Sequence, residues 1–363
     1  MKVILTAYQG KSNPYIQLLT DSLTAQGVQA GLAYPGNWTL RKAVQAHGRP
    51  DIVHIQWQHP LFLASRLDKT IVRTILFFWQ WLTLRLQGVR FVWTVHETLH
   101  FGTRRAGWEM VASRLLARLV DRIIVHCETA VPLVADAFQI DPARLSVVPH
   151  GHYEGYYPLA PTQTAARSEL DLSPDARVIL FFGHIRPYKG IDKLVETFTQ
   201  LEAADARLLL LGEPHASAPW LARQLAEQVA ADARIITRFE YIPDDELITY
   251  LAACDVVALP YTDSLTSGAA ILAGSYGRPI LAPKLGCMGE FPADAAILYD
   301  PAAPDGLAQA VARALDAPLA EMGRAARQYW LQFPWSLVAA ETRRVYERVL
   351  RRERHLQPSE VLE

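Results

Sequence analysis

Cysteine is scarce in this chain of 363 residues: Cys127, Cys254 and Cys287 stand far apart and form no C-x-x-C pair. That argues against a disulfide framework or a cysteine-rich zinc site, and it fits a reducing compartment. Net charge is nearly absent, at −1, whereas a chain built to bind nucleic acid is more often basic throughout, so no nucleic-acid partner is expected. The apolar start Val3–Tyr8 is too short for a secretion signal. The most apolar stretch, Ile71–Leu84, is too short and too interrupted to span a bilayer, which takes ~20 apolar residues. A cytoplasmic location is therefore expected. There is no repeat at solenoid spacing, no low-complexity tract and no D-x-D pattern for a divalent ion, so no metal is expected. Gly10-Lys11-Ser12 lacks the earlier glycine of a P-loop, whose place is held by Leu5.

What is present is an ordinary core and an uneven charge. Hydrophobic residues make up 50% of the chain and charged ones 20%, enough apolar surface for roughly two domains. Residues 1–160 carry 16 Lys+Arg against 10 Asp+Glu, leaving 20 against 27 beyond them, so the halves sit near +6 and −7. A basic amino-terminal half suggests an anionic partner, a membrane surface included. Apolar strands alternate with segments of helical length: Lys2–Tyr8, Asp51–Trp57, Arg90–His96, Asp121–Cys127 and Leu145–Pro149, then Arg177–Gly183, Arg207–Leu211, Arg234–Tyr241, Asp255–Pro260, Pro279–Ala282 and Ala296–Tyr299. Near-continuous apolar strands in that rhythm mark parallel sheets covered by helices on both faces. The fold class is therefore α/β, with two Rossmann-like doubly wound domains facing a cleft. The Gly- and Pro-rich stretch Tyr153–Thr162 reads as the linker. The expected division is 1–158, 159–335 and a last helix in 336–363 returning toward the first domain, with a frayed polar tail.

The segment from Phe181 to Leu194 carries the most chemistry. Strand residues Val178–Phe182 deliver Gly183, His184, Arg186 and Lys189 to a turn before a helix at Asp192–Phe198. In doubly wound sheets the carboxyl ends of the strands are where ligands bind, and this turn suits a phosphate. A second such turn follows Pro260, with Ser264, Thr266 and Ser267 before a compact helix opening at Gly268. Free amides and the helix dipole there suit an anion; the plainer reading is a helix capped by Thr266 or Ser267. His96-Glu97-Thr98-Leu99-His100 is a formal H-E-x-x-H. Zinc-hydrolase chemistry would need both histidines on one helical face, but Phe91–Val95 before it reads as a strand.

Val148-Pro149-His150-Gly151, Gly183…Lys189-Gly190, Leu211-Gly212-Glu213, Asp255–Pro260 and Gly277-Arg278-Pro279-Ile280 recur in an order that resembles the family 4 glycosyltransferases of the GT-B fold. Asn13-Pro14-Tyr15, Thr94-Val95-His96 and Asp121–His126 are similar to that family as well. The resemblance implies transfer of a hexose from a nucleotide diphosphate sugar such as a UDP or GDP sugar, without metal or other cofactor, in cell-surface polysaccharide or glycolipid synthesis. It implies His96, Glu97, Arg186 and Lys189 as catalytic groups. Gly183, His184, Arg186, Lys189, Tyr241, Ser264, Thr266, Ser267 and Gly268 would bind the donor, while Gln9, Gly10, Asn13 and His150 would face a glycan or lipid-linked acceptor. The family's arginine after Gly183 is replaced by His184, and its two glutamates fall on Ser264 and Leu272. A GT-B protein that binds nucleotide sugar without turnover is the alternative those gaps leave open.

Residues 60–90 hold one further expectation. Ile71–Leu84 is unusually apolar for a surface helix and is flanked or interrupted by Arg66, Lys69, Arg73, Arg85 and Arg90. It fits an in-plane helix at an anionic membrane surface, or a core helix of the first domain with solvated basic residues, or both at once.

Overall fold

The computed structural model describes residues 1–7, 14–99, 105–216 and 218–351. It divides into two units, Met1–Gly151 with the segment from Phe333 onward, and His152–Gln332. The boundary lies ahead of the expected linker because Tyr153 is buried and its amide donates to Ser275 Oγ at 3.0 Å. Glu154 also pairs with Arg327, and Tyr276 donates to the Pro158 carbonyl.

Among the described residues the first unit holds six parallel strands: β1 (Lys2–Thr6), β2 (Gln29–Ala33), β3 (Ile52–Ile55), β4 (Arg90–Thr94), β5 (Arg122–Val125) and β6 (Leu145–Val147), in the order β2-β1-β3-β4-β5-β6. Strand β2 escapes sequence reading because Leu32 is its one large apolar residue. Pairing with β1 forms it instead, in the register Lys2↔Gln29 to Thr6↔Ala33. Gly31 leaves room for the His47 ring, whose Cγ would lie 2.7 Å from a Cβ there. Asp51 and Asp121 each precede a strand and fix its neighbour, accepting from the Lys2 and Phe91 amides at 2.7 and 2.8 Å. Helix Trp335–Arg351 belongs to this unit: Trp335 meets the Tyr15 ring edge-on, and Tyr346 Oη lies 2.6 Å from His54 Nδ1.

The second unit is again a six-stranded parallel sheet, of β7 (Arg177–Phe182), β8 (Ala206–Leu211), β9 (Ile235–Arg238), β10 (Val256–Ala258), β11 (Ile280–Pro283) and β12 (Ala296–Tyr299), but its order, β12-β11-β10-β7-β8-β9, sets two strands rather than one beyond its first strand on the side of β8. Asp255 plays the anchoring part here. It accepts from the Val178 amide at 2.7 Å and, through both carboxylate oxygens, from Arg167 Nη2 at 2.9 and 2.8 Å.

Leu67–Leu86 is one helix of 20 residues. Thr70, Thr74, Phe77, Gln80, Trp81 and Leu84 are buried, while Val72, Ile75, Trp79, Leu82 and Leu86 face outward, Ile75 at 62% and Leu86 at 80% exposure. No helix of the described residues is long and apolar enough to cross a membrane. The expected basic fringe is largely engaged: Arg85 and Arg90 pair with Asp121, Arg73 donates to the Leu63 carbonyl at 2.7 Å, and Arg66 pairs with Asp68.

Candidate functional site

In the second unit, β7 is flanked by β8 on one side and β10 on the other, so the chain reverses its direction of winding between β7 and β10. Turns leaving neighbouring strands at such a point diverge and open a crevice. The turn after β7 runs through a 3-10 turn, Pro187–Lys189, into the helix Ile191–Thr199. Gly190 joins them at φ +63°, and a Cβ there would collide with the Pro260 carbonyl. The close approach is tied by the Thr262 amide donating to the Tyr188 carbonyl at 2.7 Å, with the Tyr188 and Tyr261 rings edge-to-face at 5.9 Å. The two phosphate-type turns read from the sequence are thus one cluster.

Lys189 sits inside that cluster. It is buried, with Nζ 5.6 Å from the centre of the Phe181 ring and 5.3 Å from that of Tyr261, and a Cβ on Gly183 would come within 2.8 Å of it. No carboxylate pairs with it among the described residues. Burial, and then the Arg186 charge, depress its pKa to about 7. Arg186 is half-buried and His184 exposed. His184 is held below its usual value by partial burial and by both cations, and its ring meets His215 at 6.1 Å.

Across the crevice Ser264 and Ser267 are buried and Thr266 half-buried. Ser267 caps the helix Gly268–Ser275, accepting from the Ala270 amide at 3.2 Å. Capping leaves the helix end electropositive, with Gly268 exposed at its mouth. Tyr241 lies apart, exposed after β9, two strands from β7. Tyr188 and Tyr261, which order this cluster, carry no signal in the sequence beyond lying beside its glycine and lysine.

In the first unit, Gln9, Gly10 and Asn13 lie outside the described residues. His96 follows β4, its ring stacked on Trp57 at 4.5 Å and 15°, with Nε2 3.0 Å from Gln56 Oε1. The remaining described residues of the H-E-x-x-H motif, Glu97 to Leu99, are not helical, and His100 lies outside the described residues. With a strand leading into it, the motif lacks the helical face that the zinc-hydrolase reading requires. The Glu97 carboxylate turns to His59, 3.0 Å from Nδ1.

Around the buried Tyr15 ring stand His96 at 4.8 Å, His126 at 5.7 Å and His150 at 4.9 Å, with Trp57 and Trp335. His126 and His150 each set Nδ1 against a backbone carbonyl, Val148 and Gly151. Burial holds these imidazoles neutral: His126 falls to about 4, His150 and His54 to about 3, and His96 well below its usual value. Neutral imidazoles beside aromatic faces suit hydroxyl-rich ligands, since they offer lone pairs without charge. Of this group the sequence points only to His96 and His150; His54, Gln56 and His126 read there as strand residues.

Two family descriptions match the chain, "Glycosyl transferases group 1" over residues 176–317 and "Glycosyltransferase Family 4" over residues 71–152. The chain is similar to a GDP-mannose:glycolipid 4-beta-D-mannosyltransferase of Xanthomonas campestris pv. campestris, 27% identical over 280 residues, 75% of this chain and 70% of the relative. A D-inositol 3-phosphate glycosyltransferase of Mycobacteroides abscessus is 28% identical over 376 residues, 96% of this chain and 80% of the relative. Among solved structures, sucrose-phosphate synthase from Thermosynechococcus elongatus superposes with a TM-score of 0.77 at 17% identity, over 97% of this chain and 100% of that one. Anabaena HepE in complex with UDP and glucose gives 0.74 at 17% identity, over 96% and 99%. The order of strands, the paired turns at the β7/β10 reversal and these likenesses agree: the chain belongs to the family 4 glycosyltransferases and has the GT-B fold.

Proposed function

We propose that this glycosyltransferase moves a hexosyl group from a nucleoside diphosphate sugar to a hydroxyl of a glycan or lipid-linked acceptor. The observation that carries the donor half is Lys189, a buried amine with no carboxylate partner among the described residues, roofed by Gly183 and set against the turn after β10. A buried cation without a counter-ion is costly, and a diphosphate entering the crevice would supply one. In the transfer, the acceptor oxygen bonds to the anomeric carbon as the bond from that carbon to the phosphate oxygen breaks. The electron pair leaves with the diphosphate, and the acceptor hydroxyl releases its proton.

Charge growing on the leaving phosphate would meet Lys189, Arg186 and the amides opening the helix at Gly268. Each such preorganised contact is worth on the order of 3 kcal/mol of barrier. These groups supply the positive charge that a divalent ion provides in other transferases. His96, neutral and half-exposed, would hydrogen-bond the donor sugar, and His150 would belong to the acceptor side.

The acceptor half rests on the first unit's outward apolar helix face and on the relative that acts on a glycolipid. Val72, Ile75, Trp79, Leu82 and Leu86 would rest in the headgroup region at a cytoplasmic membrane face. Calorimetry with UDP and GDP tests the donor reading: Arg186→Ala and Lys189→Ala should each weaken binding of the preferred nucleotide at least tenfold while the circular dichroism spectrum is unchanged. Parent-like affinity in both variants would refute it.

A further inference from the structure

One buried amide in the first unit has no part in the donor cluster. Gln56 is fully buried at the end of β3, its own N–H donating to Thr6 Oγ1 at 2.9 Å. Its side chain lies between two histidines. Oε1 is 3.0 Å from His96 Nε2, and Nε2 is 3.3 and 3.2 Å from the two ring nitrogens of His54. Near-equal distances to both nitrogens place the amide nitrogen over the His54 ring. That ring is itself pinned in plane, with Nδ1 2.6 Å from Tyr346 Oη and Nε2 2.7 Å from Thr94 Oγ1. An N–H over the face of a neutral imidazole is favourable, whereas a carbonyl oxygen there would face electron density. The amide therefore keeps its oxygen toward His96, and an oxygen acceptor demands a proton on His96 Nε2. Trp57 stacked on the ring, with the Tyr15 edge against it at 4.8 Å, prevents rotation away from this bond.

We infer that Gln56 is the positioning residue of His96: its buried amide fixes the imidazole as the Nε2–H tautomer and leaves Nδ1 as the acceptor for a hydroxyl of the bound sugar. This rests on the reading of His96 as a sugar contact. The titratable groups facing His96 are Tyr15 from helix Tyr15–Ala25, His54 from β3, His126 after β5 and His150 after β6, together with its chain neighbour Glu97, which turns to His59. Burial and the neighbouring imidazoles disfavour a charged ring, so the tautomer rather than the charge is the variable that Gln56 controls.

The test is nitrogen-15 spectroscopy of the imidazoles in the full chain, with His96 assigned by its loss in His96→Ala. The parent should show His96 neutral, protonated at Nε2 and bare at Nδ1, from pH 6.5 to 8. In Gln56→Leu the two tautomers should mix and kcat fall about tenfold, equivalent to about 1.4 kcal/mol, with the donor KM within twofold of the parent. Gln56→Glu supplies a carboxylate that stabilises the imidazolium and raises the His96 pKa. Nδ1 then carries a proton at low pH, so kcat should be lost as pH falls and recover as it rises, an inflection the parent lacks. A parent spectrum with the proton on Nδ1 overturns the inference whatever the variants do, as does a Gln56→Glu pH profile superposing on that of the parent. The expected spectra with full kcat in His96→Ala would instead refute the sugar-contact reading, and with it the catalytic use of the tautomer.

Discussion

At the scale of single residues, Lys189 is the group whose state should change most on ligand binding. Burial and Arg186 hold its pKa to about 7, so near neutrality the free enzyme carries it partly deprotonated. A bound diphosphate favours the charged form and raises the pKa, so binding should take up a fraction of a proton between about pH 7 and 9. Calorimetry in buffers of different ionisation enthalpy measures that uptake. It should vanish in Lys189→Met, and equal heats in all buffers for the parent would sink the assignment. His96 and the metal question are tested together: His96→Ala should lower kcat at least tenfold, about 1.4 kcal/mol of barrier, while prior treatment with EDTA leaves the parent's kcat unchanged. Loss of activity on chelation, restored by one divalent ion per chain, would show that Arg186 and Lys189 are insufficient for the leaving phosphate.

At the scale of elements, helix Leu67–Leu86 divides its apolar residues between two faces, and its outward stripe follows the spacing 72, 75, 79, 82, 86. Because Arg73, Arg85 and Arg90 already bind carbonyls or Asp121, attachment to a membrane should depend on apolar insertion more than on anionic lipid. Burying each large side chain is worth roughly 1.5–3 kcal/mol. Vesicle sedimentation should therefore show binding that survives moderate salt, is lost in Ile75→Glu/Trp79→Glu, and changes little in Arg66→Gln/Lys69→Gln. A parent that ignores vesicles even at low salt would leave this face without a lipid role. The same helix shows what a sequence can tell. Its length and apolar content are legible, but which arginines are spent on Asp121 is not, because residues 85, 90 and 121 meet only in the folded sheet. The strands around Gly183 and Pro260 are legible since buried parallel strands are nearly all apolar, and glycine beside lysine marks the turn. Strand β2 is not, lacking β-branched residues, and neither is the imidazole group, because His54 and Gln56 are two residues of a strand whose partners lie 40 or more positions away.

At the scale of the whole molecule, the two units are both six-stranded parallel sheets but differ in their response to acid. In the first, His54, His126 and His150 titrate at about 3 to 4 when folded against about 6.5 when unfolded. A depressed histidine pKa means that the unfolded chain binds more protons, so the stability these residues contribute is complete above pH 6.5 and is lost as pH falls toward the folded values. Each costs up to about 1.4 kcal/mol per pH unit in that window. Three of them acting together remove on the order of 5 kcal/mol between pH 7 and pH 5, comparable with the whole stability of a domain. In the second unit the large depression is that of Lys189, from 10.5 to about 7. Its effect is spent between those two values and is constant below pH 7, while His152 and His184, only partly buried, add a smaller change. Acid should therefore open the first unit while the second stays folded. Amide exchange, corrected for intrinsic rates, should show the opening free energy of β3, β4 and β5 falling by several kcal/mol from pH 7 to pH 5 while that of β7, β8 and β10 falls by less than about 1 kcal/mol. Equal losses in both sheets, or an unchanged first sheet, would mean that the buried histidines do not govern acid stability.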